Sequence, residues 1–162
     1  MAESTTLEAI KRAMDAEMEA HTYYSQAAQK ATNPKGKDMF RQLAALELNH
    51  YNNLKALHDS LHEGNGWTTY DATQNSDTTH APEGTDPSRE EALKDDVLSI
   101  LSKAIEDEKK ASAYYTKLAN ETTDPAGKEL FTKLAEEEKV HTKILNDQWY
   151  SLNNQGTWVW GD

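Results

Sequence analysis

Not one cysteine occurs among the 162 residues, which excludes disulfides, thiolate zinc sites, iron–sulfur centres and thiol chemistry. Any metal bound by this chain must be held by oxygen and imidazole nitrogen. Positive charge is also scarce. Against 28 Asp and Glu stand 17 Lys and Arg, a formal charge of −11, which argues against nucleic acid and anionic membrane surfaces as partners and favours cations. No apolar run approaches the roughly 20 residues needed to cross a bilayer. The start, Met1-Ala2-Glu3-Ser4-Thr5-Thr6, lacks a basic region followed by an apolar one. The expectation is a cytoplasmic protein of one domain spanning 1–162, long enough for a real core.

What is abundant is helical periodicity. Phe40, Leu43, Glu47, His50, Leu54, Leu57 and Leu61 follow a 3-4-3-4 spacing, which draws one stripe down one face of an α-helix. A glutamate and a histidine thus occupy positions where leucines belong. The pattern returns 91 residues later as Phe131, Leu134, Glu138, His141, Leu145, Gln148 and Leu152. An earlier stripe, Leu7, Ile10, Met14, Glu17, His21, Tyr24 and Ala28, returns at the same offset as Leu98, Leu101, Ile105, Glu108, Ser112, Tyr115 and Ala119. Aligned without gaps, 13–61 and 104–152 agree at 18 of 49 positions, so the chain reads as a duplicated helical hairpin. Trp67 answers Trp158 beyond the helices.

The spacing predicts a first hairpin over 4–62, turning at Asn33-Pro34-Lys35-Gly36, and a second over 89–152, turning at Asp124-Pro125-Ala126-Gly127, with a tail at 153–162. Between them, 63–88 holds Gly64, Gly66, Pro82, Gly84 and Pro87 without periodicity. Such a connection can stretch to about 86 Å, twice the roughly 42 Å of a 28-residue helix. It can run the length of a bundle and leave the second and third helices parallel. The fold class expected is all-α: a four-helix bundle of two repeated hairpins with one long crossover.

A short turn makes each hairpin antiparallel, and Glu17 and Glu47 then lie about 21 and 18 Å from it, at one level. Six inward polar residues collect there: Glu17, Glu47, His50, Glu108, Glu138 and His141. A carboxylate in a packed core is costly unless paired, hydrogen-bonded or bound to a cation. One glutamate from each of two helices and Glu-x-x-His from each of the other two form the ligand set of dimetal carboxylate bundles. Carboxylates can bridge two hard cations, imidazole adds a nitrogen to each, and open positions remain for an oxygen ligand. Without metal, four glutamates at one level should repel and raise their pKa values.

The surrounding residues carry weaker expectations. Tyr24 and Tyr115, two turns beyond Glu17 and Glu108, are core tyrosines or donors orienting a metal-bound carboxylate. His21 is a further ligand candidate, although its counterpart is Ser112; His58, His62 and His80 read as surface or loop. Glu136 and Glu137 fall off the stripe and read as solvated, as do Asp15, Glu19, Glu106 and Asp107. Met14, Met18 and Met39 read as packing. Trp67, Trp149, Trp158 and Trp160 are expected to cover helix ends or form a subunit contact.

Through Glu17 with Tyr24, Glu47-x-x-His50, Glu108 with Tyr115, and Glu138-x-x-His141, the chain resembles the ferritin-like superfamily and, within it, the rubrerythrin family. The resemblance implies two oxo- and carboxylate-bridged iron ions, with manganese as the alternative, frequent homodimers, and reduction of hydrogen peroxide to water. Two departures stand out. Rubrerythrins proper carry a four-cysteine iron domain that delivers electrons, and a further glutamate where this chain has Ala111. The electron donor is therefore expected to be an external protein. The alternatives are a ferroxidase or dioxygen-dependent oxidase, or a non-catalytic metal-binding bundle.

Overall fold

In a computed structural model, residues 3–73 and 94–161 are described; His80, most of the expected crossover and the expected third-helix start at 89–93 lie outside them. Among the described residues four helices follow in order: α1 (Glu3–Lys30), α2 (Pro34–His62), α3 (Lys94–Glu121) and α4 (Pro125–Gln155). Both hairpin turns use one device. The Asn33 side chain accepts the Lys35 amide at 2.8 Å, and Asp124 Oδ1 accepts the amide of Ala126 at 2.9 Å. Each cap precedes a proline at the first helical position, where a missing N–H costs nothing. Helix α4 runs three residues past the expected 152, ending where Gly156 adopts φ 71° and returns its amide to Leu152 O.

Within each hairpin the helices pack closely, α1 on α2 and α3 on α4. The relation between hairpins is read from the core, which is divided in two. One apolar cluster gathers Ala28, Phe40, Leu101 and Leu145, from the end of α1, the start of α2, the start of α3 and the end of α4. The other gathers Ile10, Leu57, Leu118 and Leu134, from the opposite ends. Helices α2 and α3 therefore run parallel and α1 and α3 antiparallel, as expected for a bundle with one crossover. Paired hydrogen bonds obey the same two-fold relation. Tyr23 donates to Ile100 O at 2.9 Å, and Tyr114, its equivalent, donates to Ala9 O at 2.8 Å.

The segment after each hairpin closes the other one. Trp67, just past α2, stands edge-on to Phe131 at the start of α4, with ring centroids 6.0 Å apart. Trp158, just past α4, does the same to Phe40 at the start of α2. The indoles lie so close to the helices that only glycine fits beneath them. A methyl group at Gly36 would sit 2.5 Å from Trp158 Cζ2, and one at Gly127 2.6 Å from Trp67 Cε3. This accounts for the repeated Pro-x-Gly. Trp149 and Trp160 pack partly buried on the first cluster. Met14 and Met39 are core residues, but Met18 is 36% exposed, as its place off the stripe allows.

Candidate metal centre

Between the two apolar clusters lies one polar layer. Glu47 and His50 are 0% exposed, and Glu17, Glu108, Glu138 and His141 no more than 3%. All six sequence-predicted ligands meet there, in two overlapping groups whose ligand atoms lie within 4.8 Å of one another: Glu17, Glu47, His50 and Glu138, and Glu47, Glu108, Glu138 and His141. Glu47 and Glu138 belong to both groups. Glu17 with His50 and Glu108 with His141 flank them.

The internal contacts leave much unsatisfied. His141 Nδ1 meets Glu47 Oε1 at 2.9 Å. His50 Nδ1 comes within 2.7 Å of Glu138 Oε1, but without hydrogen-bond alignment. Glu47 Oε2, His50 Nδ1, Glu108 Oε2 and Glu138 Oε1 are buried with no hydrogen bond, although orphaned buried polar atoms are rare and costly. All four belong to residues of the two converging groups. A donor set of four carboxylates and two imidazoles converging in this way fits two hard or borderline divalent cations.

The protons divide unevenly. Burial and then the charge of Glu47 push Glu17 up to about 8, and burial together with Glu47 and Glu17 pushes Glu138 well above the usual carboxylate range. The expected rise fails for the other two. Burial opposes ionisation of Glu108, but its polar contacts with Glu138 and His141 hold it down to about 2. Glu47, buried and facing Glu108, is likewise lowered by polar contacts with Glu17 and the two histidines. Burial works against the imidazolium form, yet carboxylate contacts raise His141 to about 10, and Glu17 with Glu137 raises His50 well above its ordinary value. Two imidazolium ions compensate two carboxylates, so only the remaining pair keeps its protons.

The tyrosines act across the molecule. Tyr24 donates to Glu108 Oε1 at 2.6 Å and Tyr115 to Glu17 Oε1 at 2.5 Å, so each orients the glutamate of the other hairpin. His21 stands outside both groups, and its Nδ1 meets Ala44 O at 2.8 Å. Ser112 makes the equivalent bond to Ala135 O at 3.1 Å, which explains the His/Ser exchange between repeats. His58 and His62 stack on one another, away from the site.

One sequence expectation is overturned. Glu137 is not a solvated residue: its side chain is 34% exposed, Oε2 lies against His50 Nε2, and Oε1 accepts from Tyr70 at 2.5 Å. A cavity of about 510 Å³ opens between α1 and α3 and reaches Glu17, Glu47, Glu108 and Glu138. Ala13, Ala16, Ala20, Ala104 and Ala111 line it, together with Tyr23 and Tyr114. Small residues facing one another keep this path to the carboxylates open. Among the described residues, no helix is long and apolar enough to cross a membrane.

The sequence model of the rubrerythrin family matches residues 5–90 and 99–157, covering α2 and α4 and most of α1 and α3. No curated protein and no solved structure gives a significant match.

Proposed function

Because the chain belongs to the rubrerythrin family, we propose that it is a di-iron oxidoreductase that reduces hydrogen peroxide to water with electrons from an external donor protein. The observation that carries this reading is the convergence of six buried ligands in two groups sharing Glu47 and Glu138. Iron bound there would supply one electron per ion and open positions for a small oxygen ligand. With two electrons and two protons, one peroxide becomes two waters.

The residues around that chemistry have separable tasks. Glu17 and His50 would hold one ion and Glu108 and His141 the other, with Glu47 and Glu138 between them. Tyr24 and Tyr115 fix one oxygen of Glu108 and of Glu17 and leave the second for metal. Burial and the neighbouring glutamates raise both hydroxyls well above the ordinary tyrosine value, so they remain donors. The apolar clusters on either side exclude water, and the cavity between α1 and α3 admits a small oxidant. No thiolate-held iron can lie within a cysteine-free sequence, so electrons come from outside it. A single domain, a homodimer and a cytoplasmic location complete the reading.

The test is anaerobic mixing of Fe(II)-loaded protein with hydrogen peroxide, compared with dioxygen, followed by stopped-flow absorbance. Rapid oxidation by peroxide with water as the product supports the peroxidase. If only dioxygen reacts quickly, the protein is an oxidase or ferroxidase.

A further inference from the structure

We propose that Glu137, held by Tyr70, is a positioning residue for His50 and makes the two metal positions unequal in affinity, the one at His50 being the tighter. This rests on the dimetal reading above. The argument starts from the two-fold relation that governs the centre, because a departure from it marks what one half possesses alone. The counterpart of Glu137 at the 91-residue offset is Leu46, and that of Tyr70 is Gly161. Neither counterpart side chain can make a polar contact.

On the His50 side the polar contacts form a continuous chain. Asn53 holds the segment after α2 onto the helix, donating to Asp71 O at 2.9 Å and accepting the Asp71 amide at 2.7 Å. Asn49 Nδ2 adds a bond to the same carbonyl at 3.2 Å. Tyr70 is thereby fixed beside α4 and donates to Glu137 Oε1 at 2.5 Å. Glu137 Oε2 in turn takes His50 Nε2. The imidazole is clamped at its outer nitrogen and presents Nδ1 to the carboxylates inside. His141 also presents Nδ1 inward, but among the described residues the only carboxylates within 4 Å of it are Glu47, Glu108 and Glu138. A carboxylate on the remote N–H of a ligating histidine fixes the tautomer, orients the ring and raises its basicity, and removing it lowers metal affinity about 10- to 100-fold.

The test is a calorimetric titration of metal-free protein with Co(II) under argon, comparing wild type, Glu137→Gln, Tyr70→Phe and Leu46→Glu. Wild type is expected to bind two ions in two resolved steps. Glu137→Gln should weaken the tighter step about 10- to 100-fold and leave the weaker one in place, and Tyr70→Phe should do the same to a smaller degree. Leu46→Glu, which offers His141 an equivalent carboxylate, should tighten the weaker step. A structural role alone would shift both steps together, and that result would overturn the proposal, as would two ions bound with no change in Glu137→Gln. A wild type that binds no Co(II) would overturn the dimetal reading itself, and the proposal with it.

Discussion

Loading this centre with metal should expel about four protons at neutral pH. At pH 7 the metal-free site keeps a proton on Glu17, whose pKa is pushed to about 8, and on Glu138, which burial and the neighbouring glutamates raise well above the usual carboxylate range. His141, at about 10, and His50, also raised, are imidazolium, while Glu47 and Glu108 are ionised. The six residues together are then neutral. Two divalent cations among four carboxylates and two neutral imidazoles are neutral as well, so the exchange is four protons for two ions. Six ordinary solvated residues of these types would release only about half a proton, since carboxylates are ionised at pH 7 and each histidine is about one quarter protonated. Because the six groups share their protons, the total is the meaningful quantity. The assay is addition of Zn(II) to metal-free protein at constant pH 7 with base uptake recorded, repeated at pH 9. Release should fall at pH 9, where Glu17 has already lost its proton. Fewer than about one and a half protons per two ions at pH 7 would refute the electrostatic reasoning.

The same shifts set how stability varies with pH. Glu17 is raised in the folded state, so its contribution is fully present below about 4.5 and is lost as pH rises through about 8; that of His141 is present below about 6.5 and lost through about 10. Glu108 runs the other way, contributing above about 4.5 and losing it as pH falls through about 2. Thermal melts of metal-free protein should therefore show a midpoint highest on the acid side of neutrality and falling toward pH 10, and a midpoint that rises over that range would contradict it. At the helix starts, Gly36→Ala sets a methyl group against Trp158. It should cost about 1–3 kcal/mol in chemical denaturation, and much less when introduced into a Trp158→Ala background; full additivity of the two would mean that the indole is not the obstacle.

Much of the site was legible because polar residues occupied apolar positions twice. Glu47, His50, Glu138 and His141 stand on stripes otherwise made, Gln148 apart, of leucine and phenylalanine, and the common offset brings two such interruptions to one level. The tyrosines were harder. Side chains on a helix lean toward its N-terminus, so Tyr24 reaches back from two turns away. Because α1 and α3 face each other in opposite directions, what it reaches is Glu108 rather than Glu17. Spacing along one helix does not contain that partner. Glu137 was misread for a related reason. It flanks the stripe, and a carboxylate on a long side chain can still cross to His50 on α2. Its other partner, Tyr70, lies in a stretch without periodicity. The polar residue at 137 against leucine at 46 was the one available signal. The lowered Glu47 and Glu108 were beyond counting carboxylates alone, because the histidines' charge had to be placed among them.

The reciprocal indoles change what counts as the unit of this protein. Each hairpin donates a tryptophan to the other and receives one in return. Each lends a tyrosine to the other's glutamate and supplies one Glu-x-x-His set to a centre neither completes alone. A single hairpin is thus half of a lock whose other half is shaped like itself. Two separate copies, turned about an axis through the centre, could satisfy the symmetric contacts without any covalent connection between them. What the joined chain adds is permission for the halves to differ, and Tyr70 with Glu137 on one side against Gly161 with Leu46 on the other is where that permission has been used.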